Sequence, residues 1–211
     1  DRLFRQQGLR HPGPLDRLAF IGDRAMGALR FVPAMHSDAE EPDWNLLALA
    51  KESERALAGE AGVALRELAL AGGSPQGTRP KALVQYDAAS GQVSTRGDAP
   101  GAPWLVKFPA QGEHKEACAI EQMYARLARD CGLDMPASAW FDLSPALAAF
   151  GVARFDREQG LRAPVQSLAS LLHVDFRIPG STDYTAFLRA TRFLTRDERE
   201  VEKAYARAVF N

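Results

Sequence analysis

Cysteine is scarce in this chain of 211 residues: Cys118 and Cys131 are the only two. They form no C-x-x-C motif, which excludes a disulfide-framed fold and a cysteine-built zinc site. The four histidines, His11, His36, His114 and His173, show no paired ligand spacing. No metal site is therefore expected within the chain. No apolar run approaches the ~20 residues that a bilayer span requires, and no signal peptide is expected. Charge of one sign is also lacking: 26 Lys+Arg stand against 27 Asp+Glu, a net charge of −1. Such a balance supplies no global field toward nucleic acid or an acidic membrane. The expectation is a cytoplasmic protein with no direct nucleic-acid contact and no membrane contact.

Hydrophobic residues make up 46% and charged residues 25% of the chain, enough for one large domain or two small ones. "PLDRLAFIG" predicts a short helix, with Leu15, Leu18 and Ala19 on one side and Gly22 as its stop. "GALRFVP" predicts a strand, and "HSDAEEPD" a polar linker. Asp43 is expected to cap a helix reaching about Gly59, with Leu46, Leu47, Ala50 and Leu57 inward. A second short helix is expected over Val63 to Leu68. Strands follow at "KALVQYD" and "WLVKFP", joined through the hairpin and loop "AASGQVSTRGDAPGAP". The strongest helical period runs from Glu113 to Cys131, with Ile120, Met123, Tyr124, Leu127, Ala128 and Cys131 at inward spacing. Gly132 followed by Leu133 ends it. "AAFGVARFDRE" predicts another strand. From Arg162 on the pattern is helical, and the capping box Thr195 to Glu198 opens a helix with Val201, Tyr205, Ala208 and Val209 on one face. A mixed first part and an all-helical second part predict two lobes, joined near Phe155 to Gly160.

One stretch, "AGGSPQGTRPKALVQYD", concentrates glycines, a serine and basic residues just before a strand. Gly72 and Gly77 fit the opening of a Walker A loop. However, Thr78 rather than lysine follows Gly77, and a strand rather than a helix comes next. The Walker reading fails on residue and on context, and a plain hairpin turn needing glycine remains open. In "WLVKFP" the alternation puts Trp104, Val106 and Phe108 on one face and Leu105 and Lys107 on the other. A lysine in the middle of an apolar strand is costly unless it meets an anion, although an edge lysine that blocks aggregation remains the alternative. Glu121 lies at the border of the apolar stripe of the main helix, and Glu116 is its rival as the lysine's partner. The order of glycine loop, strand, lysine strand, glutamate helix and strand is that of a protein-kinase N-lobe. There the lysine contacts ATP phosphates and the glutamate holds the lysine.

The pieces "LDRLAFIGDRAMGALRFVP", "GGSPQGTRPKA", "WLVKFP", "IEQMYARLARDCGLDMP", "FGVARFDRE", "HVDF" and "LTRDEREVEKAYARAVFN" occur in one order along nearly the whole chain. Together they resemble the HipA family of bacterial toxin serine/threonine protein kinases. The resemblance implies an α+β fold. It would comprise the end of an N-terminal subdomain (residues 1–40), a kinase-like nucleotide-binding N-lobe with an antiparallel sheet and helices (residues 41–157), and the start of an all-helical C-lobe (residues 158–211). Gly72, Gly73, Ser74, Gly77 and Lys81 would belong to the glycine-rich loop, with Ser74 its regulatory phosphorylation site. Lys107 would contact ATP and pair with Glu121, and the backbones of Ala153 and Phe155 would meet the adenine. An aminoacyl-tRNA synthetase would be the substrate and a HipB-type DNA-binding antitoxin the partner. The family pattern continues into an N-x-x-D-D-H-x-x-N loop and a later metal-binding aspartate, and no D-D-H occurs here. The catalytic aspartate and the Mg2+ ligands are expected beyond residue 211, with both ends of the chain cut. Two other readings stay open: a catalytically incomplete module that binds an antitoxin, and a small-molecule kinase on the same scaffold.

Overall fold

A computed structural model describes residue 4 and residues 11–35, 43–58, 79–175 and 177–211. The glycine-rich residues 72–78, the helix expected over Val63 to Leu68 and nearly all of the polar linker lie outside the described residues. Helix α1 (Pro14–Ile21) opens with proline at its first position and ends at Gly22, whose φ of 61° suits glycine. Its buried residue is Phe20, which packs on Phe4 with ring centroids 5.2 Å apart, whereas Leu15 is exposed. No strand forms at "GALRFVP": Leu29 and Val32 face solvent, and Phe31 N–H donates to Gly22 O in a loop.

Helix α2 (Leu46–Leu57) is capped by Asn45, whose side chain accepts from the Ala48 amide, and not by Asp43. Asp43 instead accepts from Ser94 Oγ at 2.7 Å and from the Thr95 amide at 2.9 Å. A carboxylate near two candidate helix starts goes where a long-range partner needs it, and asparagine takes over the local cap.

Five strands form an antiparallel sheet in the order β2-β1-β3-β5-β4: β1 (Lys81–Asp87), β2 (Gln92–Ser94), β3 (Ala102–Lys107), β4 (Ser138–Asp142) and β5 (Ala148–Ala153). A small hairpin of β6 (Arg157–Glu158) and β7 (Leu161–Arg162) follows. The register sets Lys81 beside Lys107 and Leu83 beside Leu105, then Leu105 beside Val152 and Lys107 beside Phe150. These side chains share one face of the sheet. Ala82, Val84, Trp104, Val106 and Ala149 share the other, where they form a core with Leu46, Leu49 and Ala50 of α2. The alternation read in "WLVKFP" is the one observed: Trp104, Val106 and Phe108 are buried.

Gly151 sits where this core is tightest. A methyl group there would stand 2.7 Å from Phe141 Cε2 and 3.0 Å from Trp104 Cε3. Both rings are wedged edge-on against Tyr86, with centroids 5.2 and 4.8 Å away, so neither can retreat. Gly151→Ala is expected to cost about 1–3 kcal/mol in urea unfolding, the range for overpacking. An unchanged midpoint would show that the aromatic cluster is loose.

Helix α3 (Glu116–Asp130) buries Cys118, Gln122, Ala125 and Ala128. Ile120, Met123, Tyr124, Leu127 and Cys131, expected inward, are exposed. The expectation followed the largest apolar side chains. The helix instead turns Cys118 and Gln122 toward the strands: Cys118 Sγ lies 3.8 Å from Ala148 O, and Gln122 Nε2 donates to Ser138 O.

The chain divides into two compact units, Asp1–Met123 with Pro136–Pro164, and Tyr124–Met135 with Val165–Asn211. The second holds α4 (Leu168–Leu172), α5 (Tyr184–Thr195) and α6 (Glu198–Phe210), with α5 packed on α6. Asp197, not Thr195, caps α6, accepting from the Arg199 amide. Thr195 closes α5 instead. The buried residue of α6 is Ala204, while Tyr205 and Val209 are exposed. No described helix is long and apolar enough to cross a membrane.

Candidate functional site

The glycine-rich segment enters β1 through Arg79 and Pro80, and at this mouth the charged groups gather. Strand pairing puts Lys81 directly beside Lys107. Lys107 Nζ donates to Glu121 Oε2 at 2.9 Å and lies 5.5 Å from the centre of the Phe150 ring. Glu121 lies on α3 next to the buried Gln122, on the side of the helix toward β3. The side chains of Lys107 and Glu121 keep 31% and 22% exposure, so the pair opens to solvent. Glu116, the rival carboxylate, is 76% exposed and faces His114. It is not part of the cluster.

Arg79 and Glu113 were not anticipated from the sequence. Arg79 hydrogen-bonds Glu121 Oε1 through Nη1. Its Nε and Nη2 form a two-pronged pair with Glu113, each at 2.8 Å. Glu113 Oε2 also accepts from the Ala110 amide. Glu121 thus takes one cation on each oxygen, Lys107 from β3 and Arg79 from the mouth of the loop. The available signal was an arginine beside Pro80 at the loop's exit, but its partners lie far along the sequence.

Lys81, Lys107 and Arg79 stand against Glu113 and Glu121, leaving one positive charge in excess. Lys81 is nearly buried and donates to Arg79 O at 3.0 Å. Burial first, then the neighbouring Lys107, pulls its ammonium below the ordinary lysine range. The hydrogen bond to Glu113 raises Arg79, and the same bond lowers Glu113. Cys118, under the pair, is pushed up to about 11 by burial and then by Glu121. It is a packed thiol and not a thiolate nucleophile. A crowded, partly exposed group of ammonium and guanidinium ions with one charge in excess has the chemistry to meet an oxyanion.

Ala153 ends β5 beside Trp104, and its N–H donates to Ala137 O. Phe155 follows, 68% exposed. Gly72, Gly73, Ser74 and Gly77 lie outside the described residues. Among the described residues, no group of three or more His, Cys, Asp or Glu is placed to hold a metal ion.

The family model of the HipA-like C-terminal domain matches residues 73–211. No curated protein matches the chain. Among solved structures, the chain is similar to HipA of the Shewanella oneidensis MR-1 toxin–antitoxin system, determined with HipB and its operator DNA. The TM-score is 0.67 at 18% identity, over 99% of this chain and 52% of that one. The chain therefore spans about half the length of that HipA.

Proposed function

The chain belongs to the family of HipA-like C-terminal domains, and from that premise we propose that it is the nucleotide-binding part of an ATP-dependent serine/threonine protein kinase of a toxin–antitoxin module. The observation that carries this reading is the Lys107–Glu121 ion pair, with Lys81 beside it on one face of an antiparallel sheet. Phosphoryl transfer asks the protein mainly to position the phosphates and neutralise their charge. Lys107 supplies the cation, and Glu121 fixes its ammonium in place. Lys81 adds a second cation at the phosphate end. Leu83, Leu105 and Val152 continue the same face as an apolar floor for a base, whose edge would meet the backbone of Ala153 and Phe155. ATP brings its magnesium as part of the substrate, and no residue described here is assigned to the metal.

The loop from Gly72 to Gly77 would cover the phosphates with its amides. Phosphorylation of Ser74 would place a second anion in the same cationic space and stop the loop from closing. The acceptor would be a protein, with an aminoacyl-tRNA synthetase the family's substrate class. The HipB and operator DNA bound to the Shewanella HipA support a DNA-binding antitoxin as the partner. These roles belong to the longer protein, in the cytoplasm.

The test is nucleotide binding. Titration calorimetry of Mg-ATP into the full chain should give saturable heat, and Lys107→Ala should weaken binding by about tenfold or more, the loss of one charge-assisted contact. No binding at millimolar nucleotide, or equal affinity in Lys107→Ala, would overturn the reading. Labelled ATP with cell lysate and the longer protein then separates a protein acceptor from a metabolite.

A further inference from the structure

A second cationic site lies in the sheet-bearing unit, at the other end of β1 and β3 from Lys107. Lys107 and Pro103 are four positions apart on β3, about 13 Å at the usual strand rise. There the structure holds a cavity of ≈ 650 Å³, within the range that accommodates small organic ligands. Neither Lys81, Lys107, Glu121, Ala153 nor Phe155 lines it. Its walls come from strands β1 and β3, the turn after β2, the hairpin β6–β7 and the segment at Asp23 and Arg24.

Five arginines line this cavity: Arg24, Arg96, Arg154, Arg157 and Arg162. Asp23, Asp98 and Glu158 also line it, and Asp156 lies behind the wall, fully buried. Five guanidinium groups stand among these four carboxylates. Arg154 and Arg157 are built into the wall, their side chains only 7% and 13% exposed. Both are fixed on Asp156 Oδ2 at 2.7 Å. Burial and the adjacent Arg154 hold Arg157 below the ordinary arginine range.

These guanidinium groups are oriented but not saturated. Arg154 uses Nε and Nη2 on Asp156 and Ala25 O. Arg157 uses Nη1 and Nη2 on Asp156, Gly27 O and Ala25 O. Arg162 uses Nη1 and Nη2 on Asp23. Among the described residues nothing accepts from Nη1 of Arg154, Nε of Arg157 or Nε of Arg162. Fixed forks with unused donors suit an oxyanion with several oxygens. Leu83, Pro103 and Leu161 give the same cavity an apolar side.

We propose that this arginine-lined cavity binds a phosphate-bearing small molecule, its anionic head on Arg154, Arg157 and Arg162 and its body against Leu83, Pro103 and Leu161. The site does not include the Lys107 pair, although Leu83 belongs both to this cavity and to the floor proposed for the base, and its arginine head does not depend on the kinase reading. Inorganic pyrophosphate is the probe for the head group, with citrate as the carboxylate comparison. At low ionic strength, calorimetry on the full chain should show saturable pyrophosphate binding, tighter than that of citrate. Arg162 is partly exposed and its side chain bonds Asp23 rather than Asp156, so Arg162→Gln should keep most of the parent melting temperature while weakening pyrophosphate about tenfold or more. Pyrophosphate should bind the arginines more tightly than the Lys107 cluster, so Lys107→Ala should leave the tighter binding step unchanged. No pyrophosphate binding at millimolar concentration, or citrate bound as tightly, would overturn the proposal. So would loss of binding in Lys107→Ala with none in Arg162→Gln, a result that leaves the nucleotide site standing and removes this one.

Discussion

Asp156→Asn is expected to cost this chain about 3–5 kcal/mol of folding stability, the range for breaking a buried ion pair by removing one partner. Asp156 is fully buried and serves three groups at once. Oδ2 accepts from the Gly27 amide at 2.6 Å, and the carboxylate pairs with Arg154 and Arg157. Through those two arginines it also ties Ala25 O and Gly27 O to the end of β5. Asparagine keeps the shape but leaves two nearly buried guanidinium groups without their anion. Urea unfolding of the full chain reads the effect. Should the variant not fold, Asp156→Asn combined with Arg157→Gln removes one of the stranded charges and should recover part of the loss. A loss under about 0.5 kcal/mol, typical of surface positions, would show that the cluster carries no stability.

The same group sets a dependence on pH. Burial alone pushes the Asp156 carboxyl up. The Arg154 hydrogen bonds, the Gly27 amide and the charges of Arg154 and Arg157 outweigh it, and the carboxyl sits below the usual aspartate range. A carboxyl depressed in the folded state adds stability above its unfolded pKa, about 3.9. That stability fades as pH falls through the folded value. The gap between the parent chain and Asp156→Asn should therefore be full at neutral pH and narrow below about pH 4.

Features that depend on neighbouring residues were legible in the sequence. The alternation around Lys107 placed its side chain on the face opposite Trp104 and Val106, because strand periodicity is local. Proline at the start of α1 and Gly22 at its end were read for the same reason. Features that depend on a distant partner were not legible. Asp43 looks like a cap and serves β2; Arg79 looks like a loop residue and bridges two glutamates; "RFDRE" looks like a strand end and holds a buried charge cluster. The face of α3 was misread for a related reason. Hydrophobic size alone does not decide which face a helix buries, and here cysteine, glutamine and alanine are buried while leucine and methionine are outside.

On the proposed kinase reading, Glu121→Gln in a protein that also carries the catalytic aspartate is expected to lower phosphoryl transfer about 10²–10³-fold, the scale for removing one preorganised electrostatic group. The fold should survive. The side chains of Glu121 and its two partners remain 22–31% exposed, and ion pairs of this kind contribute only about 0–1 kcal/mol. Without the carboxylate, Lys107, Lys81 and Arg79 face one another, and Glu113 still bonds Arg79. Lys107 then has no group to fix its ammonium against the phosphates. Glu113→Gln is the internal comparison, because it removes the other arm of Arg79 and leaves the Lys107–Glu121 bond intact. If Glu121 acts by positioning Lys107, Glu113→Gln should retain most of the transfer rate while Glu121→Gln does not. If Arg79 and its position at the loop mouth are what matter, the two variants should fall together. Equal activity in Glu121→Gln and the parent enzyme would remove Glu121 from the site.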